Sequence, residues 1–311
     1  MKKYLPKIAI YYDWINQWGG AEQVLLDILS VFPTADILTL FYRPQSWLPA
    51  KTKVLTPPFN LKKYDLVIST TSYFGYYLPA DIYYLHNINR YLYNTPLKFI
   101  DRLLVSPKKI FLCNSKNVQK RIKKHLNIKA QVLYPGINVK KFTPTSHPSL
   151  DYFLVVSRFV KYKNIDSVIL ACQKLKKKLI VVGTGRQEKY LKQIANPQYV
   201  QFTGKISQNK LIKLYQNCQA LIQPQIEDFG LTALEAQACG RPVIAKKAGG
   251  ALETVTTKTG VFFNKNLSKT IASFNPQKFE TQNCRQNALN FSQQKFMLNF
   301  KNKINEYSDL I

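Results

Sequence analysis

Ala220-Leu221-Ile222-Gln223-Pro224-Gln225-Ile226-Glu227-Asp228-Phe229-Gly230-Leu231-Thr232-Ala233-Leu234-Glu235-Ala236-Gln237-Ala238-Cys239-Gly240-Arg241-Pro242-Val243-Ile244-Ala245 reads as strand, loop, helix, strand. Residues 220–222 and 243–245 are short apolar runs, and 231–239 is a helix-length amphipathic segment between them. Two such runs joined by a helical crossover predict parallel neighbours in one sheet. The same alternation runs through the whole chain. Apolar runs fall at 8–12, 37–41, 66–69, 82–85, 110–113 and 131–133, then at 153–156, 179–182, 200–202, 220–222, 243–245 and 261–263. Helical patterns lie between them, for example at 21–31, 115–126 and 164–175. The fold class is therefore α/β, with two doubly wound parallel-sheet domains. The Pro- and Ser-rich stretch 143–149 marks the break, giving domains 1–146 and 147–291. A terminal helix follows over about 292–311, with packing back on the first domain as an option. Ligands of open parallel sheets bind beyond the carboxyl ends of the strands, so the cleft between two such domains is the expected site.

The length of 311 residues suits two domains, and 46% hydrophobic residues exclude global disorder. No run approaches the roughly 18 apolar residues of a membrane span. The charge is lopsided, 45 Lys and Arg against 17 Asp and Glu, a formal +28. Residues 1–150 hold 21 basic and 7 acidic side chains, so the excess is not a detachable tail. It is densest over 98–141, with twelve basic residues and Asp101 as the sole acid. Such a surface attracts polyanions, phosphates or anionic lipid. The five cysteines form no C-x-x-C pair, which points to a reduced, cytoplasmic compartment. With three histidines and no paired cysteines, no metal site is expected.

Five constellations carry chemistry. Trp18-Gly19-Gly20-Ala21-Glu22 follows the first strand, where a glycine turn and a helix start suit a phosphate or merely a tight turn. Gly183-Thr184-Gly185-Arg186 repeats that logic. The third glycine of a dinucleotide fingerprint is missing, since position 188 is Glu, so a nicotinamide cofactor is not expected. Glu227 and Glu235 flank Phe229, Gly230, Leu231 and Thr232, whose N–H groups would form an anion-binding helix start. Thr232-x-x-Glu235 equally matches a capping box. Arg158 and Lys163 lie beyond the strand 153–156 and could neutralise a diphosphate, or form a solvated basic turn. His86 ends the strand 82–85 and could donate to a substrate oxygen near neutral pH, or serve as a structural hydrogen-bonder.

Together these motifs resemble the family-4 retaining glycosyltransferases of GT-B architecture, closest to bacterial mannosyltransferase-like members. Glu227 to Glu235 resembles that family's E-x7-E motif, and Gly249-Gly250-Ala251-Leu252-Glu253, Phe202-Thr203-Gly204-Lys205 and Cys113-Asn114-Ser115 stand in family order. The resemblance implies two Rossmann-like domains facing across a cleft. It implies that Arg158 and Lys163 hold the donor diphosphate, Glu227 the donor-sugar hydroxyls and Glu235 the ribose. Backbone at Gly19, Gly20, Gly183 and Phe229 through Thr232 would contact phosphate or sugar. Gly204 and Lys205 would lie by the nucleobase, and His86 near the transferred sugar. Arg90 and Tyr91 stand on the acceptor side. There, Ile88 replaces the proline common in related sequences, which bears on acceptor choice.

The implied reaction is metal-independent transfer of a hexose, mannose as the best guess, with retention. The donor is a nucleotide-diphosphate sugar such as GDP-mannose. The acceptor is a hydroxyl of a glycan or lipid-linked acceptor in cell-surface polysaccharide biosynthesis. No cofactor is implied. The cationic, amphipathic segment 115–126 adds the option of a peripheral place on the inner face of the cell membrane. Two competing classes stay open. One is a nucleic-acid-binding basic protein, supported by the +28 charge but lacking any recognised module. The other is a sugar-nucleotide epimerase or phosphorylase on the same fold.

Overall fold

The structure, a computed structural model, describes residues 6–16, 18–71, 78–88 and 109–308. It divides into two compact units, Met1–Gly136 with Gln293–Ile311, and Ile137–Ser292. The Pro- and Ser-rich stretch 143–149 therefore lies inside the second unit and not at its edge. Arg285 explains why. Its guanidinium donates to the carbonyls of Val139 (2.6 Å), Phe142 and Ala238 (2.9 Å), tying the start of the unit to its interior. Ring contact between Phe142 and Tyr215, 6.0 Å between centroids, adds to this.

In the first unit β1 (Ile8–Tyr11), β2 (Trp14–Ile15), β3 (Asp36–Leu38), β4 (Phe41–Tyr42) and β5 (Val54–Leu55) are followed by β6 (Leu66–Thr71), β7 (Ile82–Leu85), β8 (Ile110–Cys113) and β9 (Gln131–Val132). The main sheet has the order β5-β3-β1-β6-β7-β8-β9, with every pairing parallel. Alternation along β1 sends side chains to two cores. Ile8 and Ile10 join Val24, Leu25 and Ile28 of helix α1 (Gly20–Val31). Ala9 and Tyr11 join Val118, Ile122 and Leu126 of α2 (Lys116–Leu126). The hydroxyl of Ser115 caps α2, accepting from the Val118 N–H at 3.1 Å. The terminal helix Gln293–Ser308 presents Phe296, Phe300 and Ile304 at helical spacing to the first of these cores.

The expected strand over 37–41 is in fact two. Thr39 intervenes, its hydroxyl donating to the carbonyls of Asp13 and Phe41, both at 3.2 Å. Beyond it the chain leaves the main sheet, and β4 pairs with β2 in a separate parallel ribbon.

The second unit contains β10 (Tyr152–Val156), β11 (Leu179–Val182), β12 (Val200–Gly204), β13 (Cys218–Gln223), β14 (Val243–Lys246) and β15 (Gly260–Phe263). Helices α3 (Ile165–Lys174), α4 (Glu188–Ile194), α5 (Gln208–Asn217), α6 (Leu231–Ala238), α7 (Ala251–Thr254), α8 (Leu267–Ala272) and α9 (Thr281–Leu289) intervene or follow. Its strand order, β12-β11-β10-β13-β14-β15, is the Rossmann order, and all pairings are parallel. The order reverses between β10 and β13.

One acid in the first core carries a titration. Asp27 on α1 is fully buried. Gln23 and Gln293 both donate to its Oδ1, at 2.8 and 2.6 Å, while Oδ2 has no partner. Burial pushes the carboxyl up to about 6, from an ordinary 3.8. The folded pKa is raised, so this group favours folding fully below about pH 4 and loses that contribution as pH rises through 6. Between pH 4 and pH 8 the stability of Asp27→Asn relative to wild type is expected to improve, by about 1–3 kcal/mol. Paired thermal melts across that range check this; a pH-independent difference would contradict it.

Candidate active site

β10 and β13 are neighbours at the point where the strand order reverses, and the segments beyond their carboxyl ends are where open parallel sheets bind ligands. The segment after β10 carries Arg158 and Lys163; the segment after β13 carries Gln225 and Glu227. The structure brings two of these together. Lys163 Nζ lies 2.7 Å from Glu227 Oε1, with both side chains largely shielded from solvent. Gln225, buried behind the loop, donates its amide to the same oxygen. Tyr162 places its ring 5.3 Å from the Lys163 ammonium. Arg158 is exposed, and its guanidinium reaches the Tyr162 hydroxyl at 3.4 Å.

The glycines of this region let backbones cross closely. A Cβ at Gly183 would meet the Ser157 carbonyl at 1.9 Å, and one at Gly185 the Phe159 carbonyl at 2.5 Å. The G-x-G motif thus seats the segment that carries Arg158, through Phe159 N–H to the Thr184 carbonyl at 2.8 Å. Likewise a Cβ at Gly249 would meet the Glu227 carbonyl at 2.4 Å, and one at Gly250 the Phe229 Cα at 2.3 Å. The Gly250 N–H donates to the Glu227 carbonyl at 2.8 Å, fixing the loop between the two acids. Gly204 ends β12, two strands from β10, and Lys205 follows it. The Gly183 N–H donates to the Gly204 carbonyl at 3.1 Å, and Lys205 is exposed.

Helix α6 starts as expected beside this loop, but the capping box is not formed. Gly230, at φ +106°, is the cap, and no side chain caps the helix. Thr232 instead accepts from the Gln223 amide at 2.8 Å. Glu235 stands in the second turn, not the first, because the helix begins at Leu231. Its Oε2 accepts from the Tyr215 hydroxyl at 2.7 Å. Desolvation outweighs that bond and lifts the carboxyl to about 7. Phe229 is buried against Phe291, 5.7 Å between centroids. The sequence reading assigned no role to Gln223, Gln225 or Tyr215. Polar residues two apart at the end of an apolar strand were the available signal for the glutamines.

In the first unit, Gly19 caps α1 in extended backbone and Gly20 opens it. A carboxylate already occupies this turn: Glu22 is buried, accepts from the Tyr12 hydroxyl at 2.8 Å, and approaches Gly19. His86 is buried, with Nε2 2.8 Å from Thr70 Oγ1 and its carbonyl accepting from Asn114 at 2.9 Å. Burial lowers its pKa to about 4, so near neutral pH it is an uncharged ring with a single N–H. Arg90 and Tyr91 lie outside the described residues. Among the described residues, no group of three or more His, Cys, Asp or Glu is placed to hold a metal ion.

Comparison with known proteins agrees with this layout. Residues 138–291 match the family model of glycosyl transferases group 1. The chain thus carries a glycosyltransferase group 1 domain that occupies nearly all of its second unit. A GDP-mannose-dependent monoacylated alpha-(1-6)-phosphatidylinositol monomannoside mannosyltransferase of Corynebacterium glutamicum is 34% identical over 154 residues, covering 40% of each chain. The human alpha-1,3/1,6-mannosyltransferase ALG2 is 26% identical over 200 residues, covering 53% of this chain and 48% of its own. The matches thus span less than half the length of these relatives. Among solved structures, Anabaena HepE in complex with UDP superposes with a TM-score of 0.80 at 18% identity, over 96% of this chain and all of that one. The fold is GT-B, built from two Rossmann-like domains.

The Tyr215–Glu235 contact gives a direct check. Tyr215→Phe removes the bond that favours the ionised carboxylate, so the Glu235 titration is expected to move above 7. Carboxyl-selective 13C NMR reads the midpoint. An unchanged or lower midpoint would rule out the hydroxyl as the group holding the anion.

Proposed function

We propose that the protein is a retaining glycosyltransferase that moves a hexose, mannose by preference, from a nucleotide-diphosphate sugar to a hydroxyl of a glycan or lipid-linked acceptor. The observation that carries this reading is the Lys163–Glu227 pair at the strand-order reversal of a glycosyltransferase group 1 domain. A cation suited to phosphate and a carboxylate suited to sugar hydroxyls already share one oxygen contact there. Donor binding exchanges that contact. The diphosphate takes Lys163, joined by Arg158, and the released Glu227 accepts from hydroxyls of the sugar. The N–H groups at the start of α6 meet phosphate or sugar oxygens, and Glu235 meets the ribose. The mannosyltransferase activities named for the relatives support mannose as the sugar.

Transfer follows from this arrangement without a metal. The acceptor oxygen forms a bond to the anomeric carbon on the face from which the diphosphate leaves. The bond from that carbon to the phosphate oxygen breaks, and the acceptor proton passes to the departing phosphate. Arg158 and Lys163 stabilise the charge that grows on it. The neutral His86 can orient a sugar oxygen but adds no charge.

Arg158→Ala and Lys163→Ala are each expected to lower turnover of GDP-mannose by about 10²-fold or more. Unaltered turnover in both variants would remove this assignment. Thermal shifts with GDP-, UDP- and ADP-sugars identify the base, since a ligand at about 100 times its Kd adds about 2.7 kcal/mol.

The basic excess supports a peripheral place on anionic membrane. The apolar stripe of α2 is consumed by the core, leaving an exposed face with Lys116, Lys120, Lys123 and Lys124. No described helix is long and apolar enough to cross a membrane. Attachment would therefore be electrostatic, at about 1 kcal/mol per basic residue near the surface. Co-sedimentation with phosphatidylglycerol vesicles should accordingly be strong at low salt and lost at high salt. Absence of binding at low salt would end the membrane reading.

A further inference from the structure

Glu227 Oε1 accepts from two donors of different kinds, the Lys163 ammonium at 2.7 Å and the Gln225 side-chain amide. The ammonium is charged and the amide is neutral, so a diphosphate competes strongly for the first and weakly for the second. Their settings differ as well. Lys163 reaches in from the segment after β10, 64 positions away along the chain, whereas Gln225 stands two positions before Glu227 on the same loop. Gln225 is 4% exposed, just beyond the end of β13 at Gln223, and Ile226 beside it is 57% exposed. The loop thus turns one side chain inward and the next outward. Its backbone is held separately. The Gly250 N–H donates to the Glu227 carbonyl at 2.8 Å, and Glu227 pairs with Gly249 in an isolated parallel bridge. What these backbone bonds leave undecided is the direction of the carboxylate, at the end of a long and rotatable side chain.

We propose that Gln225 is a positioning residue that keeps the Glu227 carboxylate aimed at the donor sugar after the diphosphate has drawn Lys163 away. The proposal rests on the glycosyltransferase reading of this site and names how its sugar-binding half stays ordered. Without the amide, release of Lys163 would free Glu227 to rotate, and each sugar hydroxyl it gathered would have to offset the entropy of fixing it again. With the amide, one anchor persists through the exchange and the acid is preorganised. This role explains the burial of Gln225 better than stability does. Its Nε2 donates to Glu227, while its Oε1 meets no donor among the described residues. An apolar side chain of similar shape would fill the same space with no polar atom to satisfy, at little or no cost to folding. Gln223, the other buried amide of this strand end, donates instead to Thr232 at 2.8 Å and does not share the task.

Gln225→Met keeps the length and bulk of the side chain and removes the amide. Isothermal titration of the full chain compares GDP-mannose with GDP, and UDP-glucose with UDP. For the pair that wild type binds, Gln225→Met should weaken the nucleotide sugar about tenfold and leave the nucleoside diphosphate within about twofold. Its Tm should be unchanged or higher. In a Glu227→Ala background the same substitution should add no further loss, because the two side chains act through one bond. Equal loss of nucleotide sugar and diphosphate, with a lowered Tm, would make the amide a plain structural group and overturn the proposal. So would wild-type affinity for the nucleotide sugar in Gln225→Met, or a full additional loss in the Glu227→Ala background. If wild type itself bound neither nucleotide sugar, the transferase reading would fall and take this assignment with it, a result distinct from the others.

Discussion

The reversal of strand order between β10 and β13 is the constraint on which the candidate site depends. Neighbouring parallel strands with crossovers on opposite faces send their loops apart at the carboxyl ends, and side chains from both loops can meet only there. Lys163 and Glu227 do meet, at 2.7 Å. Both side chains are largely shielded from solvent, and taking two charges out of water offsets much of their attraction, so the pair is weak evidence of stabilisation. Its consequence is chemical. Each charge neutralises the other until a ligand supplies a better partner for both. A diphosphate joined to a sugar is such a ligand, carrying anionic oxygens and hydroxyls in one molecule.

Close backbone approach holds that arrangement. Gly183 and Gly185 allow the loop after β11 to lie on the loop after β10, and Gly249 and Gly250 allow the loop after β14 to lie on the loop that carries Glu227. Any side chain at these positions would collide with the backbone of the facing loop. The glycines therefore serve the ligand indirectly, by fixing the backbone from which Arg158 and Glu227 extend. Gln225 and Tyr215 do the same for two carboxylates, each donating one hydrogen bond that fixes the acid's place.

The first unit differs in kind. Its sheet is built on the same alternation, yet the groups near its strand ends include buried acids, an uncharged histidine and exposed aromatic rings. The glycine turn at Gly19, which by itself resembles a phosphate site, already has Glu22 beside it. The second unit, with its paired cation and its helix start, suits an anionic ligand.

Strands and helices were legible in the sequence because burial on both faces of a parallel sheet requires continuous apolar runs, and packing of one helix face requires apolar spacing of three and four. The motif around Glu227 and Glu235 was legible for the same reason: strand, glycine and helix follow in order. Partners were not. Ion pairing of Lys163 with Glu227 joins residues 64 positions apart, and Tyr215 reaches Glu235 from another helix. Nor could composition show that Arg285 ties 139–142 into the second unit, or that Thr39 splits a strand. Local pattern, set by periodicity and turn chemistry, determined the fold class and the candidate loops. Which charges neutralise each other, which carboxyls burial pushes up and which rings remain open were decided by tertiary structure. Desolvation and hydrogen bonding depend on neighbours that only the folded chain brings within reach.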